Sequence, residues 1–184
     1  MKTFTSRLFN TAEPQTQLTE IVLAPSSHLI EEVYWDDDNI EHRISFQVND
    51  SFQQAKSHAG EVMMLSTYAP GKSMGAEGTS PYLAILCDDF VYDAVEEYKE
   101  TGTFTGAPED MTALDGAFYF KARIRYYEGR EESMMYFYGL RWDYLGNTGL
   151  CMVYPKAYRD TESEKKLMCV LDEAARSFRI VQKA

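Results

Sequence analysis

The sequence predicts an α+β domain in which a twisted antiparallel sheet is flanked by helices, an arrangement known as an α/β/α sandwich. The first observation is that residues 118–154 alternate as three strands, and both alternating sets of side chains are rich in apolar residues. A sheet with two apolar faces must be covered on both. The second observation is an amphipathic helix over residues 162–178, which supplies one of the covers.

The length and charge of the chain favour one soluble domain. The 184 residues show no internal repeat or break in composition, so we expect a single domain over residues 18–184, preceded by a polar N-terminal arm over residues 1–17. The net charge of −11 opposes binding to nucleic acid or to anionic membranes. Neither a signal peptide nor an apolar stretch of membrane-spanning length is evident, which predicts a cytoplasmic protein.

Short elements are predicted in the first half of the chain. Residues 18–24 and the pair 31–35 and 40–48 are predicted strands, and the pair forms a hairpin around the turn formers of residues 36–39. Residues 52–59 are predicted to form a short helix, and residues 61–68 form an apolar run.

A Gly-rich loop over residues 69–80 separates that run from residues 81–87, which are predicted as a strand or as the start of a helix. A helix is then predicted to reach residue 100, with Asp88 or Asp89 as its N-cap and Gly102 after its end. Its apolar side consists of Phe90, Ala94, Val95 and Tyr98.

The three-strand meander carries the strongest local signal. Its last two strands are predicted to join at a two-residue turn, Gly146 and Asn147, because both residues accept positive φ. That turn places Trp142 opposite Cys151, Leu140 opposite Val153, Arg141 opposite Met152 and Asp143 opposite Leu150. The face of Leu140, Trp142, Cys151 and Val153 is then expected to pack under the C-terminal helix.

The C-terminal helix begins with a predicted capping box. Thr161 is expected to accept a hydrogen bond from the backbone N–H of Glu164, whose carboxylate reaches back to the N-terminus of the helix. One stripe of the helix is apolar and requires a sheet to cover, namely Leu167, Val170, Leu171, Ala174, Ala175 and Phe178.

A cationic group on the other face of the meander is the predicted ligand-binding site. It consists of Lys121, Arg123, Arg125 and Arg141, interleaved with Tyr119, Tyr127 and Phe137. Guanidinium groups beside aromatic rings suit an acidic peptide, a carboxylate or a phosphate. The alternative is that these cations pair with acids such as Glu132 and Asp143 and cover the sheet with their aliphatic stems. The cover of this face is expected to be the helix over residues 89–100 or a partner.

The other chemical patterns favour structural roles. Asp36, Asp38, Glu41 and His42 carry metal-ligand atoms, but the cluster suits a hairpin turn better and lacks the spacing of a calcium loop. Cys87, Cys151 and Cys169 are expected to be reduced thiols, with Cys151 and Cys169 on core faces. The sequence predicts no catalytic residue, no metal site and no cofactor.

The order of elements resembles that of the PsbP/DcrB-like families. The resemblance rests on residues 140–153 and on the helix over residues 162–178, which ends in Ala-Arg-Ser-Phe. These families share an α/β/α sandwich around a twisted antiparallel sheet, and they include photosystem assembly proteins, envelope lipoproteins and effector chaperones of type VI secretion. The resemblance implies a role without catalysis, and no functional residue is carried over.

These observations favour a binding or adaptor protein that presents a sheet face or groove to a protein or to a small acidic ligand. The absence of an assembled catalytic motif and the 13 tyrosines support this hypothesis, since aromatic residues and Arg are enriched at interfaces. The alternatives are a small enzyme with its site near the loop over residues 69–80, and a self-assembling structural protein. The sequence leaves the oligomeric state open.

Overall fold

Two antiparallel sheets and two α-helices form the fold in the computed structural model, which describes residues 19–55, 62–69, 80–128, 131–142 and 147–183. The predicted α+β class with antiparallel sheets is confirmed. Among the residues described, no helix is long and apolar enough to cross a membrane. The predicted N-terminal arm, residues 1–17, lies outside the described residues.

In the part of the chain that the structure describes, ten strands divide between the two sheets. In chain order they are β1 (Ser27–Trp35), β2 (Glu41–Asn49), β3 (Phe52–Ala55), β4 (Val62–Tyr68), β5 (Tyr82–Leu86), β6 (Asp110–Ala113), β7 (Phe118–Glu128), β8 (Glu131–Leu140), β9 (Thr148–Pro155) and β10 (Arg179–Lys183). Within the described residues, the smaller sheet has the order β1-β2-β10, and the larger sheet has the order β3-β4-β5-β9-β8-β7-β6.

The predicted first hairpin is confirmed as β1 and β2. Asp36 forms the turn, because its carboxylate accepts hydrogen bonds from the backbone N–H groups of Asp38 at 3.0 Å and Ile40 at 2.8 Å. Asn39 takes a positive φ of 57°, a conformation that Asn tolerates better than most residues. The acidic cluster therefore closes a hairpin.

Both helices begin at the predicted caps. Helix α1 (Asp89–Thr101) follows Asp88, whose carboxylate accepts from the backbone N–H of Val91 at 2.8 Å, and it ends at Gly102 with φ 77°. Helix α2 (Glu162–Ser177) follows Thr161, whose hydroxyl accepts from the backbone N–H of Glu164 at 3.2 Å. The carboxylate of Glu164 does not complete the capping box, because it turns toward Arg123 and Tyr154.

Strand β9 is buried at every position from Thr148 to Tyr154, so both of its faces are covered. Cys151 and Val153 belong to a core that includes the buried face of α1, whereas Met152 and Tyr154 belong to a core that includes α2. Helix α2 also contacts β2, and it therefore joins the two sheets.

The predicted register between β8 and β9 is wrong. Cys151 pairs with Phe137 and Leu140 pairs with Thr148, so Leu140 does not lie opposite Val153. The connection spans residues 141–147 instead of two, and the odd shift exchanges the faces of one strand relative to the other. Cys151 and Val153 consequently face α1 instead of α2, while Leu140 and Trp142 lie in the core beside α2.

The other two predicted cross-strand pairs fail for the same reason. Met152 pairs with Tyr136 instead of Arg141, and Leu150 pairs with Tyr138 instead of Asp143.

Three further element predictions are corrected. Residues 52–55 form the strand β3, paired with β4, instead of the start of a helix, and residues 56–59 lie outside the described residues. Residues 19–24 form no strand, although Ile21 is fully buried and its N–H donates to the hydroxyl of Ser163 at 3.1 Å. Strands β6 and β10 were not predicted. Both form by pairing with a neighbouring strand, β6 with β7 and β10 with β2.

Candidate functional site

Lys121 and Arg123 of the predicted cationic group lie on the face of β7 toward α2, so the expected cover by the first helix is wrong, while the alternative of a partner stays a prediction. The Lys121 ammonium lies 2.6 Å from the carboxylate of Asp172, in the middle of α2. The Tyr138 hydroxyl donates to the same carboxylate at 2.7 Å. The ammonium also lies 5.2 and 5.4 Å from the ring centroids of Tyr136 and Tyr138, within range of a cation–π interaction. Lys121 therefore holds α2 against the sheet.

Arg123 is surrounded by four carboxylates, and we name Arg123 with Glu109, Asp110, Asp160 and Glu164 the Arg123 cluster. Its Nη1 lies 3.0 Å from Glu164 and 3.1 Å from Asp160. Its Nε lies 3.1 Å from Glu109 and 3.5 Å from Asp110. The Arg123 side chain is only 12% exposed, so the guanidinium is largely withdrawn from water.

Two tyrosines complete the surroundings of Arg123. The Tyr154 hydroxyl donates to Glu164 at 2.7 Å, and the Tyr136 hydroxyl donates to Asp110 at 2.9 Å. Burial raises the pKa of both phenols, and the two carboxylates raise it further because they stabilise the neutral hydroxyl. Burial opposes the charge of Arg123, yet its acidic partners outweigh that effect and raise the pKa of Arg123.

Arg125 lies at the exposed margin of this cluster. Its side chain is 54% exposed, and its Nε lies 3.7 Å from Glu132 and 3.8 Å from Glu109. Lys156 binds Glu132 at 2.8 Å and thereby lowers the pKa of that carboxylate, while Arg159 binds Glu109 at 3.0 Å. Glu132 is thus among the partners of the cations, as in the structural alternative considered for the sequence.

The remaining predicted site residues lie apart from Lys121 and Arg123. The Arg141 guanidinium stacks on the Tyr119 ring at 4.0 Å from its centroid, and its Nε donates to the Phe118 carbonyl at 3.2 Å. Tyr119 packs at the edge of the α1 core, because a bulge between Phe118 and Phe120 interrupts the alternation of β7. Tyr127 is 61% exposed near the end of β7.

Phe137 is not part of the cationic face. It is fully buried in the α1 core, opposite Ala122, and it contacts the ring of Phe120. Asp143, the other acid considered as a partner of the cations, lies outside the described residues.

The charges around β7 are nearly balanced. Five cations each lie within 4.0 Å of at least one carboxylate: Lys121, Arg123, Arg125, Lys156 and Arg159. Six carboxylates surround them: Glu109, Asp110, Glu132, Asp160, Glu164 and Asp172. An acidic ligand at Arg123 must therefore displace carboxylates that the fold already places there. The assignment of the cationic group as a ligand site stays a prediction.

Two of the candidate metal ligands near the first turn, Asp36 and His42, bind each other. His42 Nε2 lies 2.8 Å from the Asp36 carboxylate, and this hydrogen bond lowers the pKa of Asp36. His42 Nδ1 faces the indole N–H of Trp142 at 3.4 Å, so it accepts while Nε2 donates. Glu41 binds Arg43 at 3.0 Å. In the described part of the chain, no three His, Cys, Asp or Glu side chains are grouped to hold a metal ion.

Of the two cysteines predicted to lie on core faces, Cys151 is buried and Cys169 is not. Cys151 is buried, and burial raises its pKa, which suits an unreactive thiol. Cys169 is exposed on α2, so its predicted place on a core face is wrong. The reason is that the core stripe of α2 runs through Val170 and Leu171 and leaves Cys169 on the outward side.

A second surface, which the sequence interpretation missed, lies on the smaller sheet. We define its outer face as Leu29, Glu31, Val33 and Trp35 of β1, Glu41, Arg43, Ser45 and Gln47 of β2, and Arg179, Val181 and Lys183 of β10. The opposite face, which includes Ile30, Ile44 and Ile180, packs in the core with α2. Four apolar side chains of the outer face are 41–59% exposed, namely Leu29, Val33, Trp35 and Val181.

Comparison with known proteins gives no matching family model, no similar curated protein and no similar solved structure. The resemblance to the PsbP/DcrB-like families is neither supported nor opposed by these comparisons, and the surfaces described above are the basis for a functional proposal.

Proposed function

We propose that this protein is a binding or adaptor protein without catalytic activity, and that it recognises a segment of a partner protein through the outer face of its smaller sheet. The observation that carries the proposal is the exposure of Leu29, Val33, Trp35 and Val181 on that face. Exposed Trp and apolar side chains beside Arg are typical of the centres of interfaces.

The two sheets differ in how their faces are covered. The central strands of the larger sheet are buried by α1 on one side and by the α2 core on the other. Among the described residues, the inner face of the smaller sheet packs in the core and the outer face does not. Val33 and Val181 flank Arg43 in one cross-strand row, so apolar and cationic groups alternate across the outer face. A partner with both kinds of complementary group suits this row.

The size of the outer face fits a segment better than a globular partner. Three strands spaced by about 4.8 Å, with a rise of about 3.3 Å per residue, give a footprint of about 400 Å². A stable interface between two globular proteins takes about 20–30 residues from each partner, whereas the outer face has eleven. The outer face therefore suits one strand or one short helix of a partner protein.

The proposal is tested by selecting a phage-displayed library of random peptides on the full chain. Peptides enriched on the wild-type protein are then measured against the double variant Trp35→Ala, Val181→Ser. We expect binding to fall by about tenfold or more, because Trp is a frequent source of interface affinity. The matched control is Val22→Ser, Tyr92→Ala, whose side chains are 63% and 46% exposed elsewhere on the protein.

Two results would overturn the proposal. One is a selection in which no peptide is enriched above the control. The other is a set of peptides that bind the Trp35 variant as well as the wild type but fail on an Arg125→Ala, Tyr127→Ala variant, because the cationic group would then be the recognition surface.

The alternative of a small enzyme gains no support from the described residues. The loop over residues 69–80 connects β4 and β5, whereas the Arg123 cluster involves β6, β7 and the start of α2, across β9 and β8 in the sheet order. Residues 70–79 lie outside the described residues. Turnover in a hydrolase screen that is lost when this loop is mutated would replace the binding proposal.

The finer features of the fold are part of the same proposal. The packing of α1 and α2 against different faces of β9 supports an α/β/α sandwich, to which the smaller sheet is added beside α2. A sandwich of this kind, a cytoplasmic location and a relation to the PsbP/DcrB-like families are all compatible with a protein that acts by binding.

A further inference from the structure

We propose that one part of the partner is acidic and extended, and that this part adds as a fourth strand to the β10 edge of the smaller sheet. This inference rests on the proposed function and extends it to the edge of the sheet: the added strand lies beside Val181 of the outer face, whereas Trp35 lies on β1 at the opposite edge. Strand β10 pairs with β2 on one side, and no described strand pairs with its other edge. Such an edge offers backbone N–H and C=O groups to an added strand.

The charge near β10 contrasts with the rest of the chain. Residues 174–184 contain three cations, Arg176, Arg179 and Lys183, and no acid, within a chain of net charge −11. All three cations are exposed. Arg179 Nη1 donates to the backbone carbonyls of Arg176 and Phe178, at 3.3 and 2.7 Å. Within the described residues, none of the three forms an ion pair with a carboxylate, unlike the cations around β7.

The order of side chains along β10 specifies the partner further. Arg179, Val181 and Lys183 point to the outer face, so the edge presents a cation, an apolar residue and a second cation in turn. A complementary strand places an acid, an apolar residue and an acid on the same face, because directly opposed side chains on paired strands interact most strongly. The acids then lie opposite Arg179 and Lys183.

The same arrangement disfavours a second copy of this chain at the edge. Antiparallel pairing of two β10 strands about Val181 places Arg179 of each copy opposite Lys183 of the other. Like charges directly opposed on neighbouring strands destabilise their pairing. Two chains of net charge −11 also repel each other.

The test uses fluorescence anisotropy with the full chain and labelled synthetic peptides. The probe peptide is Ser-Glu-Thr-Val-Thr-Glu-Ser, which places Glu, Val and Glu on one face of a strand. Its first control replaces both Glu residues with Lys. Two further controls keep the acidic sequence but carry N-methyl groups on one or the other alternate set of backbone amides, since a methylated amide cannot donate to a neighbouring strand.

We expect the acidic peptide to bind with a Kd in the micromolar range, and the Lys peptide to bind about tenfold more weakly or worse. One of the two methylated peptides is expected to lose about fivefold, and the other to bind normally, because only one set of amides faces the edge. Lys183→Glu is expected to weaken binding about fivefold. The matched control Lys165→Glu changes the charge equally at an exposed position on α2 and leaves binding within about twofold.

Equal binding of the acidic and Lys peptides, or no loss with either methylated peptide, would overturn the inference. These results differ from a failure of the proposed function. If peptides from the random library carry no acids and their binding depends on Trp35, the outer face remains the binding surface and only the proposal of an acidic strand is refuted. A selection with no dependence on Trp35 or Val181 would refute the outer face itself.

Discussion

Positive charge has different surroundings in two regions of this molecule. Around β7, Arg123 is 12% exposed and is held by four carboxylates from β6, α2 and the segments beside them. On β10, Arg179 and Lys183 are exposed and form no ion pair within the described residues. The first arrangement uses its charges to hold the fold together, whereas the second leaves them exposed at the edge where we propose that a partner binds.

The comparison teaches that cations beside aromatic rings do not by themselves mark a binding surface. A cation that is largely withdrawn from water and already pairs with several acids gives a ligand little to gain, because the ligand must displace those acids. An exposed cation at a strand edge costs little to desolvate. Substitutions in the two regions should therefore separate stability from binding.

The largest expected effect is that of Arg123→Ala. It leaves Glu164, which is 8% exposed, without its cation, and an uncompensated buried charge costs about 3–5 kcal/mol of unfolding free energy. Urea unfolding followed by circular dichroism gives this value. The same variant loses binding only through unfolding, so peptide binding measured below its midpoint temperature should persist.

Arg125→Ala is the matched control for Arg123→Ala, since Arg125 is a neighbour on the same face of β7 but is 54% exposed. Its expected cost is below about 1 kcal/mol, because exposed ion pairs contribute little. If both variants lowered the unfolding free energy by the same small amount, the comparison would fail, because the Arg123 cluster would then not stabilise the fold.

Tyr154→Phe is expected to have the next largest effect. The Tyr154 side chain is 1% exposed, and its hydroxyl donates to Glu164, so its loss costs about 1–3 kcal/mol at neutral pH. Burial and Glu164 raise the pKa of Tyr154 above its value of about 10 in the unfolded chain. The stabilisation by the neutral phenol is therefore complete below pH 10 and is lost as the pH rises toward the folded pKa.

The pH dependence separates this role from a simple packing role. The contribution of Tyr154 to the slope of unfolding free energy against pH should be about 0.7 kcal/mol per pH unit at pH 10 and approach about 1.4 kcal/mol per pH unit above pH 11. The Phe variant lacks this contribution, so in urea titrations between pH 9 and pH 12 its slope should become shallower than that of the wild type by these amounts. Identical slopes for the two proteins would show that Tyr154 ionises as freely in the folded state as in the unfolded state.

Elements that depend on sequence neighbours were predicted well. The Asp88 and Thr161 caps, the Gly102 terminus and the apolar stripe of α2 are local features, and the structure contains them. The buried side of α1 is centred on Val91, Ala94 and Val95, so Val91 was missed, and Phe90 and Tyr98 are only partly buried. The register of β8 and β9 was not predictable from the turn signal at Gly146 and Asn147, because the length of the connection fixes which faces meet. Strand β10 has only five residues and becomes a strand through β2.

In the candidate site too, the features that depend on sequence neighbours were predictable, and those that depend on distant residues were not. Alternation along β7 predicted that Lys121, Arg123 and Arg125 share a face. Their partners were not predictable, because Glu109, Asp160 and Asp172 come from separate elements that only the fold brings together. The sequence of β1 does not distinguish its two faces, because each face carries apolar residues and a glutamate. The exposure of Leu29, Val33 and Trp35 follows from the side of the smaller sheet that α2 covers.

The smallest expected effects are those of two matched variants, Lys121→Ala near the Arg123 cluster and Lys183→Ala on β10. Lys121 is 23% exposed, binds Asp172 and lies over two tyrosine rings, so its removal should cost about 1 kcal/mol. Lys183 is exposed and forms no ion pair within 4.0 Å among the described residues, and Glu41, which lies opposite it on β2, binds Arg43 instead. Lys183→Ala should therefore change the unfolding free energy by less than about 0.5 kcal/mol. Thermal unfolding of both variants beside the wild type measures the difference. A larger cost at Lys183 than at Lys121 would mean that the β10 cations stabilise the smaller sheet, and the reason to assign them to a partner would be lost.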